Sequence, residues 1–217
     1  MRTVLIALMA ATFMASAQET PAPEYVKFST NRGDIYIELY RDKAPKTVEN
    51  FLSYVEDGYY EGVIFHRIVP GFVVQGGGFD AEFNKKATKE PVVNEADNML
   101  PNDRGTLSMA RTNDPHSANA QFFINLVDNK ALNHTGKTHS AAWGYAVFGK
   151  VVRGMDIVDS MATLPLGPGG PFRSSVPQVE AVIESAESLS ALPVDPQSQP
   201  ESDAGAEGEP EAAAEQG

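Results

Sequence analysis

Between Val63 and Val74 every residue except His66, Arg67, Pro70 and Gly71 is apolar, and the Pro70-Gly71 pair marks a turn in the middle of the run. Two short apolar arms meeting at such a turn read as strand-turn-strand, because each arm is too short for a helix of about ten residues. Period-2 alternation puts Phe65, Arg67 and Val69 on one face and His66 and Ile68 on the other. A guanidinium set among apolar neighbours needs a partner or a task, since an unpaired buried charge is costly. The bland expectation is a stem packed on apolar surface and a head paired with a carboxylate. His66, turned to the opposite face, reads as a packed structural histidine rather than an acid or base.

The same pattern recurs along the chain. Tyr25–Thr30 and Asp34–Tyr40, separated by Asn31-Arg32-Gly33, form a hairpin whose Ile35, Ile37 and Leu39 face a core. Pro45 opens a helix with Val48, Phe51, Leu52 and Val55 on one side, and Gly58 stops it. Phe79–Asp103 is polar and irregular, a long surface connection around a strand at Val92-Val93 of the kind that often borders a site. Further strands are expected at Thr106–Arg111, Gln121–Val127 and Tyr145–Val151, then a second helix over Met155–Met161 and a closing strand within Pro177–Glu187. Many short strands with two helices imply a barrel or a sandwich.

A chain of 217 residues with 42% hydrophobic content supports one domain plus extensions. It has no cysteine, so disulfides, thiolate metal sites and a cysteine nucleophile are excluded. Met1-Arg2-Thr3, the apolar run Val4–Met14 and Ala15-Ser16-Ala17 have the form of a secretory signal cleaved after Ala17. The run is short of the roughly 20 apolar residues needed to span a bilayer, so no stable membrane insertion is expected. The net charge of −12 is concentrated at the end: ten acidic and no basic residues follow Arg173, while the residues up to it hold 19 acidic against 17 basic side chains. From 191 onward the composition is that of a disordered acidic tail. The resulting division is signal 1–17, linker 18–23, domain 24–190 and tail 191–217. Gly76-Gly77-Gly78 lacks the spacing of a phosphate loop, no Gly-x-Ser-x-Gly elbow occurs, and His116, His134 and His139 lie in polar loops without an acidic cluster, so no metal site is expected.

Phe65–Gly78, Gly105–Arg111, Gln121–Asn125, Tyr145–Val152 and Gly154–Val158 together resemble the cyclophilin family of peptidyl-prolyl isomerases over about Tyr25 to Leu189. The resemblance implies a mainly β fold, a closed eight-stranded antiparallel β-barrel capped by two α-helices, with its site on the outer surface. It implies catalysis of X-Pro rotation by Arg67, through a hydrogen bond to the prolyl nitrogen and with no cofactor. Phe72, Val73, Phe123, Leu132 and Tyr145 match the family's hydrophobic pocket for the proline ring, and Gln75, Ala110, Arg111 and Gln121 match positions that hold the flanking backbone. Many eukaryotic members carry Met at the place of Val73, Asn at Arg111 and His at Tyr145; the last two departures resemble bacterial members. Ala131 stands where a drug-contacting Trp is common, which implies weak cyclosporin binding. The implied partners are proline-containing peptides and unfolded exported proteins, not nucleic acid. The signal points to the periplasm, with secretion as the alternative, and a closed barrel with a charged tail favours a monomer. A non-catalytic proline-binding module in the same groove is the rival reading.

Overall fold

The structure is a computed structural model that describes residues 24–194. The expected signal segment, the linker 18–23 and the tail from 195 onward lie outside the described residues.

The chain forms β1 (Glu24–Thr30), β2 (Gly33–Leu39), α1 (Pro45–Glu56), β3 (Val63–Ile64), β4 (Arg67–Val69), β5 (Val73–Gly76), β6 (Thr106–Met109) and β7 (Phe122–Asn125). There follow α2 (Ser140–Trp143), β8 (Val147–Arg153), α3 (Met155–Met161), β9 (Leu166–Gly169), β10 (Phe172–Pro177) and β11 (Val182–Leu189). Nine strands make one antiparallel sheet in the order β3-β11-β1-β2-β8-β6-β7-β5-β4, and β9 and β10 form a separate ribbon. The mainly β expectation holds, while the ladder has nine strands instead of eight and the described residues three helices instead of two. The sheet curls, but its ladder is open between β3 and β4. Those two edge strands are consecutive in the chain and separated only by Phe65-His66, and β3 is bridged instead to the segment after β5, where Val63 pairs with Asp80 and the Ile64 amide donates to Phe79 O at 3.0 Å. A third helix, the single turn α2, was not expected.

Alternation explains the β1–β2 hairpin: Val26, Phe28, Ile35, Ile37 and Leu39 are buried and their neighbours are partly exposed. α1 buries Val48, Phe51, Leu52 and Val55 as its periodicity requires. Phe51 lies against Phe28, Tyr60, Phe122 and Phe148 at ring separations of 6.0, 5.3, 5.9 and 5.0 Å, an aromatic cluster that fills the curl of the sheet. With the inside occupied by side chains, a ligand must meet the outside.

Alternation fails at one place. Phe65 does not share a face with Arg67: Phe65 and Ile68 both enter the core, whereas Arg67 and Val69 face outward and are half-buried. The break between β3 and β4 shifts the register, so two residues rather than one separate the inward side chains. His66 is buried as expected, but against Phe79 and the β10 residue Phe172, at 4.9 and 5.3 Å. The expected strand at Val92-Val93 is a single bridge from Val92 to Ala118.

Candidate active site

Arg67 on β4 lies directly opposite Gln75 on β5, which lies opposite Phe123 on β7. Residues paired across antiparallel strands project from the same face, so the three side chains form one row on the outer surface. Phe122 and Ile124 alternate inward. The strand pairing of residues far apart in sequence thus assembles an arginine, an amide and an aromatic ring.

This row borders a cleft of about 170 Å³ lined by Arg67, Phe72, Val73, Gln75, Ala110, Arg111, Phe123, Leu132 and Tyr145. Nine of the ten residues expected from the sequence therefore line one cleft. The tenth, Gln121, sits behind it: its Oε1 accepts a hydrogen bond of 3.1 Å from Gln75 Nε2. Phe123 is 5% exposed and meets Tyr145 edge-on at 5.5 Å.

Arg67 does not have the carboxylate partner of the bland expectation; none lies within ion-pair distance among the described residues. Its Nη1 donates to Gln75 Oε1 at 3.2 Å, and Gln75 is itself held by Gln121. An amide orients a guanidinium without neutralising it. Arg111 is used differently. Its Nε donates to the Gly144 carbonyl at 3.0 Å, Nη2 to the Ser140 carbonyl at 2.7 Å and Nη1 to Thr112 O and Ser140 Oγ, while the guanidinium lies 4.6 Å over the Tyr145 ring. It braces the Tyr145 wall.

The cleft's lining contains no carboxylate, imidazole, thiol or aliphatic hydroxyl. Such a surface can bind an apolar ring and donate hydrogen bonds, and the Tyr145 phenol is its one hydroxyl. His66 is outside the lining, and burial lowers its pKa from 6.5 to about 4, so it is neutral near pH 7. The other histidines serve local structure. His116 Nδ1 accepts from the Asn94 amide, His134 Nδ1 is bonded to the Trp143 carbonyl, and His139 Nδ1 accepts from the Ala142 amide at the start of α2.

Sequence reasoning missed the layer behind the walls. Asn102, Asn125 and Asn129 are buried side chains hydrogen-bonded to one another or to the backbone of cleft residues. The one available signal was Asn125, a lone amide in the apolar run Phe122–Val127.

A family model described as cyclophilin-type peptidyl-prolyl cis-trans isomerase matches residues 25–188. Peptidyl-prolyl cis-trans isomerase B of Escherichia coli K12 is 54% identical over 160 residues, covering 74% of this chain and 96% of that protein. Peptidyl-prolyl cis-trans isomerase cyp18 of Streptomyces antibioticus is 53% identical, covering 76% and 98%. Among solved structures, a Cryptosporidium parvum cyclophilin-type isomerase determined in the presence of the dipeptide Ala-Pro superposes with a TM-score of 0.60 at 29% identity, covering 75% of this chain and 96% of that one. Family model, relatives and fold agree, and the chain belongs to the cyclophilin-type peptidyl-prolyl cis-trans isomerase family.

Proposed function

We propose that the cleft holds the proline ring of an X-Pro segment and that Arg67 donates a hydrogen bond to the prolyl nitrogen as the bond twists. Rotation about X-Pro is slow because amide resonance raises a barrier of roughly 18–20 kcal/mol. A donor aimed at the nitrogen lone pair favours the pyramidal, twisted geometry in which resonance is lost. It acts most strongly when it is oriented beforehand. The observation that carries this reading is the Arg67 guanidinium, held by Gln75 at the rim of the cleft and without a carboxylate partner among the described residues.

The remaining roles follow from position. Phe72, Val73, Phe123, Leu132 and Tyr145 supply the apolar surface for the ring, while Gln75, Gln121, Ala110 and Arg111 order the sides along which the flanking peptide runs. Residues 24–190 form the isomerase domain, and the amino-terminal 17 residues direct export to the periplasm, where the substrates are proline-containing segments of unfolded exported proteins. Ala131 is exposed beside Leu132 and Tyr145 and presents only a methyl group, which favours weak cyclosporin binding.

The test is cis-to-trans relaxation of an Ala-Pro-Phe peptide with protein beginning at Gln18. The wild type accelerates relaxation, cyclosporin inhibits weakly, and Arg67→Ala loses on the order of 10²-fold in turnover with peptide affinity within a few-fold. No acceleration by folded wild type would instead identify a proline-peptide binding module.

A further inference from the structure

Both walls of the cleft hang from one buried amide cluster. Leu132 ends a short 3-10 turn (Lys130–Leu132) and Tyr145 follows α2, both outside any strand; the Tyr145 amide donates to Leu132 O at 3.0 Å, and no strand ladder holds either carbonyl. Asn102, 1% exposed, supplies the donor: its Nδ2 lies 3.1 Å from Leu132 O, 3.3 Å from Tyr145 O and 3.2 Å from Asn133 Oδ1. Its own Oδ1 accepts from Ser108 Oγ at 2.7 Å and lies 3.4 Å from Asn125 Nδ2.

From Asn125 the cluster reaches the opposite wall. Asn129 Nδ2 donates to Asn125 Oδ1 at 2.7 Å and to Phe72 O at 3.0 Å, and the Asn129 amide donates to Asn102 O at 2.8 Å. A continuous run of side-chain amides therefore links Phe72 to Leu132 and Tyr145, behind the surface that a ligand would meet. Apolar side chains could fill the same space, but they would take from Tyr145 O its side-chain donor, at a cost of about 1–3 kcal/mol, and would leave Leu132 O and Phe72 O only their backbone donors, Tyr145 N and Leu126 N. A satisfied polar network in a low-dielectric interior also holds its members in one arrangement.

We propose that Asn102 is a positioning residue for prolyl isomerisation, setting the separation of the cleft's two walls through the Leu132 and Tyr145 carbonyls. It rests on the assignment of the cleft as the X-Pro site. Asn102 touches no substrate; it acts through the walls. Reactions that depend on geometry lose on the order of 10²-fold for a misplacement of about 1 Å, and a partial relaxation of the walls gives a smaller loss.

The experiment compares full-length wild type with Asn102→Ala, measuring isomerisation of the Ala-Pro-Phe peptide and binding of a fluorescein-labelled Ala-Pro peptide by anisotropy, well below each Tm. The expected result is a folded variant whose kcat/KM falls about tenfold or more, with peptide Kd weakened by a similar factor. A lower Tm with unchanged kcat/KM and Kd would show a purely structural asparagine and overturn the proposal. Should Asn102→Ala fail to fold, Asn133→Ala removes the acceptor at the half-buried rim; a loss of about threefold supports the proposal, and wild-type kinetics overturn it. Arg67→Ala assayed beside them separates these outcomes from failure of the site assignment, which would leave the turnover of Arg67→Ala at the wild-type value.

Discussion

His66 and Arg67 are adjacent in the chain and do opposite work. Arg67 reaches the cleft because β4 pairs with β5 in the register that sets it across from Gln75. Its rigid planar fork of donors is the feature the proposed chemistry uses, so Arg67→Lys is expected to behave like Arg67→Ala rather than to rescue turnover. His66 is shut away between Phe79 and Phe172, with Nδ1 buried and unpartnered among the described residues. Desolvation is the largest cause of its depressed pKa, partly offset by a backbone hydrogen bond with Ile64 and reinforced by the Arg67 charge. The sign follows: between 6.5 and about 4 the unfolded chain binds a proton that the folded chain refuses, so stability is complete above that window and is lost as pH falls through it. Thermal unfolding followed from pH 7 to pH 4 is expected to show a declining Tm, and His66→Phe, which keeps an aromatic ring there, is expected to flatten the decline. An equal slope in both proteins would remove His66 as its cause. Burial of His66 was legible in the sequence, but its aromatic partners were not, because Phe172 comes from a ribbon that the local pattern did not announce.

At the scale of elements, α1 shows how a legible helix can depend on an illegible contact. Its apolar spacing, Pro45 at the start and Gly58 at the end predict it closely, and the observed helix is Pro45–Glu56. Yet Ala44 at its N-cap makes no side-chain capping bond. Glu95, from the long connection, caps it instead: its carboxylate accepts from the Lys46 amide at 3.2 Å, the Thr47 amide at 2.8 Å and Thr47 Oγ1 at 2.6 Å. A carboxylate there meets both the free amides and the positive end of the helix dipole. Glu95→Ala is therefore expected to lower unfolding free energy by about 1–2 kcal/mol, read as a shift of the urea midpoint at constant slope; an unchanged midpoint would show that water satisfies those amides equally well. The ribbon of β9 and β10 was the element least visible beforehand. Leu166-Gly167-Pro168-Gly169-Gly170-Pro171 has the composition of a loop, and its pairing is set by tertiary contact with Phe83 and His66 rather than by alternation.

Over the whole molecule, the described residues form one nine-stranded sheet, a two-stranded ribbon and one core, and no helix among them is long and apolar enough to cross a membrane. If the isomerase is confined to 24–190, a chain ending at Val194 and starting at Glu24 keeps its Tm within a few degrees and its kcat/KM within about twofold of the chain from Gln18 to Gly217. A tenfold loss of activity would assign the removed segments a part in the site. The sequence by itself determined the β-rich class, the hairpin, α1 and α3, and the residues that line the cleft, because alternation, helical period and collinear motifs are properties of near neighbours. The tertiary structure alone decided that β3 pairs with β11 and bridges to Asp80 and not to β4, that Arg67 meets an amide instead of a carboxylate, that Glu95 caps α1, and that three asparagines tie the cleft walls together. Each of these depends on contacts between residues distant along the chain, whose free energy is gained only when the fold brings them together.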